Sequence, residues 1–336
     1  MDGIGAPQEP TLDDVRRAAL RIAGRVRRTP LLAAAPVRDG AAWAGTLVLK
    51  LENLQVTGSF KARGASNAVL SLPASTVARG VTTASGGNHG LAVAYAAHGA
   101  GVPATIFLPR SAPESKRQKL RRWGAEVVVE GEVWDDSQAA ALRHAAATGT
   151  AYLHPFADPA VIAGQGTVAT EILDEDPTID TLLVAIGGGG LVSGVALAAR
   201  AIKPGLRVVG IEPVGAPTLL RSLEAGRPAV LDRVDTAAGT LAPRSTDALN
   251  FGIIQRCVDR IVLVTDDAMR EAAAWLWFEQ AIAAELSGAA AIAALMTRAC
   301  GSTPMPASAS PTAACRSSTS RPTATSRCCR PTAASR

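Results

Sequence analysis

Lysine is nearly missing from this chain. Five stand among its 34 basic residues, so arginine supplies positive charge almost everywhere. Aromatic residues are also scarce, at 4% of the 336 residues, which leaves alanine, valine and leucine to fill the interior. No run of the sequence reaches the ~20 consecutive apolar residues that a membrane-spanning helix needs. The N-terminus, Met1-Asp2-Gly3-Ile4-Gly5, lacks the basic and then apolar pattern of a secretory leader, so a cytoplasmic protein with no membrane partner is expected. Cysteine argues the same way. Cys315, Cys328 and Cys329 crowd near the end, and Cys257 and Cys300 show no pairing pattern, so neither a disulfide framework nor a zinc site is read here. The net charge of +5 would suggest nucleic acid if it were spread over the chain. Instead, residues 301–336 hold five arginines and no acid, and without them 29 basic residues balance 29 acidic ones. A neutral body carries no electrostatic footprint for nucleic acid, and none is expected as a partner. That terminal segment also loses Leu, Ile and Val in favour of Ser, Thr, Pro, Arg and Cys, and cannot bury enough apolar area to offset its ordering entropy. It reads as a disordered tail or an out-of-frame translation.

What the chain does have is alternation. β-Branched runs at 46–51, 81–84, 104–108, 126–129, 181–186, 208–211 and 260–264 are separated by alanine-rich amphipathic stretches, among them 116–122, 135–147, 160–173, 191–201 and 266–279. Strands alternating with helices mean an α/β fold with parallel sheets covered on both faces. The length suits two domains. Ligands in such folds sit beyond the carboxyl ends of the strands.

Against the arginine background, Lys61 in the run Thr57-Gly58-Ser59-Phe60-Lys61-Ala62-Arg63-Gly64 stands out. Lysine, unlike arginine, can lose its proton when desolvated and form a Schiff base with an aldehyde. Gly58 and Ser59 read as a turn and helix N-cap opening the amphipathic stretch 59–70, with Lys61 in the first turn. There burial and the positive end of the helix dipole both disfavour the ammonium.

Two loops complete a constellation. Ser85-Gly86-Gly87-Asn88-His89 follows the run 81–84 and precedes a helical stretch; backbone N–H groups at a helix start bind anions such as carboxylate, and Asn88 can donate or accept. Gly187-Gly188-Gly189-Gly190-Leu191 follows the run 181–186, and four glycines after a buried strand imply close approach of something to the backbone. Successive N–H groups there make a phosphate nest. No lysine or Ser/Thr follows in the spacing of a triphosphate loop, and the loop is not a dinucleotide fingerprint, so a monophosphate fits better.

A Schiff-base lysine, an asparagine loop and a monophosphate nest together describe pyridoxal 5′-phosphate. On these motifs the chain resembles the serine/threonine dehydratase (threonine ammonia-lyase) family of fold-type II pyridoxal-phosphate enzymes. The likeness continues through Ser115-Lys116, the stretch 123–127, His154-Pro155-Phe156-Ala157-Asp158-Pro159, Ala163-Gly164-Gln165-Gly166-Thr167, and Glu285 with Ser287-Gly288. It implies two open parallel-sheet α/β domains with the cofactor between them: a large domain from 1–79 and 158–300, a small domain of 80–157, and an atypical tail at 301–336. It also implies a homodimer acting on a small amino-acid substrate. The resemblance assigns Lys61 the Schiff base and Cα deprotonation, and Phe60 the packing on the pyridine ring. Asn88 takes the ring oxygen, and Ser85, Gly86, Gly87, Asn88 and His89 take the substrate carboxylate. Gly187, Gly188, Gly189, Gly190 and Leu191 take the cofactor phosphate. The implied reaction turns L-threonine, L-serine or a related 3-hydroxy amino acid into a 2-oxo acid and ammonia. The alternatives are β-replacement or threonine-synthase chemistry, which usually has aspartate where Ala62 stands, and an inactive cofactor-binding chain.

The pattern departs from the family in three places. Gly86 stands where related racemases carry an acid/base serine, so racemisation is not expected. Glu212 and Ala216 match a divalent-cation pattern, but Thr218 stands in place of its acid, which leaves Glu212 a weak metal candidate; Ala237-Ala238-Gly239 likewise has alanine where aspartate is usual. After Gly301 nothing matches the closing strand whose turn bonds the pyridine nitrogen. With no regulatory domain recognised, a catabolic role is expected.

Overall fold

The computed structural model describes residues 8–35, 43 and 45–299. The readings for the tail and for Cys300-Gly301 therefore lie outside the described residues. The chain opens on helix α1 (Leu12–Ile22), which Thr11 and Asp14 start by reciprocal capping: Asp14 N–H donates to Thr11 Oγ1 and Thr11 N–H donates to Asp14 Oδ2. Strands β1 (Leu31–Ala34) and β2 (Leu47–Lys50) pair antiparallel. Helix α2 (Lys61–Ser71) and the short α3 (Ala74–Val77) follow.

The strand-helix alternation then holds as the composition implied. β3 (Val81–Ala84), α4 (Asn88–Ala100), β4 (Ala104–Leu108), α5 (Glu114–Arg121), β5 (Glu126–Val129), α6 (Trp134–Thr148) and β6 (Ala151–Tyr152) build a parallel four-stranded sheet in the order β5-β4-β3-β6. β3 and β4 are buried at every residue, as strands covered on both faces must be. Helix α7 (Pro159–Glu175) leads to a second parallel sheet. Its strands β7 (Thr181–Ala185), β8 (Arg207–Pro213) and β9 (Arg260–Val264) lie in the order β7-β8-β9. Around them run α8 (Gly190–Ile202), α9 (Thr218–Ala225), α10 (Ala248–Cys257), α11 (Asp266–Gln280) and α12 (Leu286–Met296). Both loops singled out in the sequence lie at carboxyl ends of strands: 85–87 after β3, and 187–189 after β7.

Helix α2 is the centre of the fold, buried at every position from Ala62 to Val69. Its start differs from the sequence expectation. Phe60, not Ser59, occupies the N-cap and no side chain caps the helix. Gly58 does turn the chain, at φ +79°, but Ser59 remains extended at φ −160° and ψ 159°, so its hydroxyl is left buried without a partner. Lys61 becomes the first helical residue. Two residues on, Arg63 is fully buried and forks onto two carboxylates. Its Nε and Nη2 donate to Glu52, both at 2.8 Å, and its Nη1 and Nη2 donate to Glu171 at 2.6 and 2.8 Å. Lys50 also donates to Glu171 at 2.6 Å, which ties β2, α2 and α7 together by charge. No helix among the described residues is long and apolar enough to cross a membrane.

Candidate active site

The amino group of Lys61 donates to the main-chain carbonyl of Pro155 at 2.6 Å and lies 5.2 Å from the centre of the Phe60 ring. Although the residue keeps part of its surface open, its amino group is enclosed by protein, and that desolvation pushes its pKa down to about 8. Its basic neighbours are neutral. Burial, with the nearby Lys61 charge second, holds the His89 imidazole down at about 3. Burial likewise holds His154 at about 4. Since a carbonyl can only accept, His89 Nε2 carries the proton that faces Leu153 O at 3.2 Å, and its buried Nδ1 has no partner. His154 Nδ1 accepts from the N–H groups of Phe156 and Ala157 at 3.2 and 2.9 Å. Burial therefore outweighs what the Pro155 carbonyl and the Phe60 ring offer the ammonium, and the amine gives up its proton more readily than a free lysine.

Residues 85–89 straddle the end of β3 and the start of α4, whose first helical residue is Asn88. Ser85, Gly86, Gly87 and Asn88 are half-buried, and His89 is buried behind them. Asn88 Nδ2 donates to Glu285 Oε1 at 3.0 Å. Glu285 is the N-cap residue of α12 and also accepts from Thr240 Oγ1 at 3.3 Å; Thr240 Oγ1 in turn bonds the Ser287 hydroxyl.

The glycine loop 187–190 has a cause that composition could not reveal. The body that comes close to it is the protein itself. A Cβ on Gly188 would lie 2.3 Å from Phe156 Cδ1, one on Gly190 2.8 Å from Phe156 O, and one on Gly187 2.7 Å from Thr240 O. Gly189 adopts φ +98° against the side chains of Ile254 and Asn250. Among the described residues no acceptor takes the N–H groups of Gly188, Gly189, Gly190 or Leu191 at the start of α8. Free N–H groups at the positive end of a helix form an anion cradle.

The same contacts bring the three motifs together. Lys61 bonds Pro155; its neighbour Phe156 packs on Gly188 and Gly190; Thr240 touches Gly187 and reaches Asn88 through Glu285. Glu212 stands apart. Its two carboxylate oxygens accept from the N–H groups of Leu219 and Leu220, at 2.7 and 2.9 Å, capping α9 from the end of β8. Thr218 donates to Pro243 O at 2.7 Å. Pro155, within a motif of the resemblance, and Asn250, in a region expected near the substrate pocket, had no specific role in the sequence, and Thr240 and Thr246 did not stand out; their contacts run through main-chain carbonyls and loop packing, which leave no signature in spacing.

Comparison with known proteins follows the same lines. Residues 22–307 match the family model described as pyridoxal-phosphate dependent enzyme. The L-threonine ammonia-lyase of Thermotoga maritima is 39% identical over 288 residues, which is 86% of this chain and 71% of that protein. A serine racemase of Oryza sativa is 38% identical over 286 residues, 85% of this chain and 84% of that protein. Among solved structures, maize serine racemase superposes with a TM-score of 0.82 at 37% identity, over 86% of this chain and 87% of the other. A T.th. threonine deaminase gives 0.81 at 38% identity, over 87% and 94%.

Proposed function

The chain belongs to the family of pyridoxal-phosphate-dependent enzymes, and on that premise we propose that it is a dehydratase, converting L-threonine, L-serine or a related 3-hydroxy amino acid to a 2-oxo acid and ammonia. The residues present suit the cofactor. The free N–H groups of the 188–191 loop suit a phosphate, and the desolvated Lys61 amine suits an aldehyde. Bound there, pyridoxal phosphate supplies an aldehyde that takes up amines and a ring that accepts the electron pair left at Cα.

The rest is the work of the chain. Lys61 Nζ takes the Cα proton, and a pKa of about 8 leaves a usable neutral fraction near neutral pH. Phe60 backs the ring. The N–H groups at the start of α4, within residues 85–89, hold the substrate carboxylate. Asn88 turns its amide from Glu285 to the ring oxygen. In the same reading residues 80–157 form a small domain around the β3–β6 sheet, with 1–79 and 158–300 as the large one.

A single observation carries elimination over inversion: Gly86 offers no hydroxyl. Racemisation needs a proton delivered to the face opposite Lys61, and a Cβ at Gly86 would already lie 3.0 Å from Leu108 Cδ2. Elimination needs one base: the Cα proton and the β-hydroxyl leave together as water, and a water returns when the released imine hydrolyses to 2-oxo acid and ammonia. The test is to incubate the cofactor-loaded protein with L-serine and L-threonine, follow 2-oxo acid and ammonia, and resolve the remaining amino acid on a chiral column. The reading expects 2-oxo acid with no build-up of the D-isomer; D-serine forming faster than 2-oxo acid would sink it.

A further inference from the structure

The amide of Asn250 has no part in the reaction just described, yet it is placed at the back of the phosphate cradle. Asn250 lies in the first turn of α10 and is fully buried. Its Nδ2 donates to two main-chain carbonyls, Phe156 O at 2.9 Å and Gly188 O at 3.3 Å. Thr246 Oγ1 adds a second donor to Gly188 O at 3.1 Å. Two carbonyls can only accept, so the amide orientation is fixed with its nitrogen toward them. The other end, Oδ1, is buried with no donor at all.

An orphaned buried acceptor costs on the order of 1–3 kcal/mol. A leucine of similar shape would avoid that cost but would leave Phe156 O without a donor and Gly188 O with Thr246 alone, so what the asparagine serves is the two carbonyls it holds. What the amide does provide is direction. A peptide unit is planar and trans, so its C=O and N–H point to opposite sides. Holding Gly188 O back toward α10 turns the Gly189 N–H away from α10. The second carbonyl shows the same logic completed: with Phe156 O on Asn250, the Ala157 N–H points the other way and lands on His154 Nδ1 at 2.9 Å.

From this geometry we infer that Asn250 is a positioning residue for the cofactor phosphate, with Thr246 as its auxiliary. It sets the peptide plane of Gly188 and Gly189 so that the Gly189 N–H joins the cradle. The inference rests on the reading of residues 187–191 as the phosphate loop.

Two aldehydes that differ only in the phosphate separate this role from general damage. Apoprotein of wild type, Asn250→Asp, Asn250→Leu and Thr246→Val is titrated with pyridoxal phosphate and with pyridoxal, following visible absorbance, and each melting curve is recorded. Asp places charge against both carbonyls, and Leu fills the space without a donor. Both variants should lose roughly tenfold or more in affinity for pyridoxal phosphate, the size of one lost buried hydrogen bond. Their affinity for pyridoxal should stay at the wild-type value, whatever the shift in their melting temperatures. Thr246→Val should show a smaller loss of the same kind. Unchanged affinity for pyridoxal phosphate, or an equal loss for both aldehydes, overturns the assignment. A wild type that takes both aldehydes equally well would overturn the phosphate-loop reading on which it rests.

Discussion

The amino group of Lys61 hydrogen-bonds the carbonyl of Pro155 at 2.6 Å, and with neutral His89 and His154 nearby and no carboxylate bonded to it among the described residues, that carbonyl and the Phe60 ring are what stabilise its charge there. Only the neutral amine attacks an aldehyde, so the rate at which apoprotein captures pyridoxal phosphate should rise with pH and level off with a midpoint near 8. Stopped-flow absorbance across pH 6–10 measures it. Lys61→Ala and Lys61→Arg should both abolish capture and turnover, the second despite keeping the charge. Substantial activity in either variant would remove Lys61 from its role.

The glycine loop is held against Phe156 rather than merely left open. Gly188→Ala would put a Cβ 2.3 Å from the Phe156 ring, inside any real contact, so the loop must move. Cofactor affinity should fall by roughly tenfold or more, as when a preorganised anion site loses its donors. The double variant Gly188→Ala with Phe156→Ala, which removes the obstructing ring, should recover part of that loss. Equilibrium titration of the apoproteins decides it, and no recovery would mean that Phe156 is not the obstacle.

Arg63 concerns stability before activity. Removing one partner from a buried charge network strands the others, and Arg63→Ala should cost about 3–5 kcal/mol of unfolding free energy. Arg63→Lys should also fail to restore the wild type, because an ammonium cannot fork onto Glu52 and Glu171 together. Burial opposes ionisation of Glu171, but its bonds to Arg63 and Lys50 prevail and hold its pKa below the ordinary 4.5. An acid depressed in the folded state stabilises above its ordinary value and loses that contribution as pH falls through the folded one. Urea midpoints of the wild type should therefore drop below pH 4.5, and the same limb should be shallower in Glu171→Gln.

How much of this was legible in the sequence follows from how local each cause is. The parallel strands β3, β4, β5, β7, β8 and β9 showed through because buried β-branched runs are short-range patterns; β6, two residues long, and β1, with its alanines, fell below that threshold. Lys61 was visible through its rarity, and the two loops through their glycines, yet the reason given for the second was incomplete. Close approach was required, and Phe156, more than thirty residues upstream, is what approaches. Ser59 looked like a cap by residue type but sits in extended chain after Gly58. The Glu52–Arg63–Glu171 network and the carbonyl clamp of Asn250 join segments distant in sequence, so no spacing rule could find them.

Glu212 combines two opposed forces in one carboxylate. Burial, the larger, raises its pKa to about 7, while the N–H groups of Leu219 and Leu220 pull toward the ionised form. Between the ordinary 4.5 and about 7 Glu212 is protonated in the folded protein and ionised in the unfolded chain, so its own contribution to stability falls as pH rises through that window and levels off above it. Glu212→Gln cannot ionise, so the stability of the wild type relative to Glu212→Gln should decline between pH 5 and 7, while the depressed His89 and His154 add the same rising slope to both proteins. Glu212→Gln should also pay a penalty, on the order of 1 kcal/mol, because its amide nitrogen must face one of the two N–H groups that the carboxylate accepted. Glu212→Ala, which leaves both N–H groups of α9 uncapped, should be the less stable of the two variants at every pH. Melting curves of the three proteins at half-unit steps from pH 5 to 8 measure both effects. A wild type whose stability rises relative to Glu212→Gln over that range would mean that the helix cap, and not burial, governs the proton on Glu212.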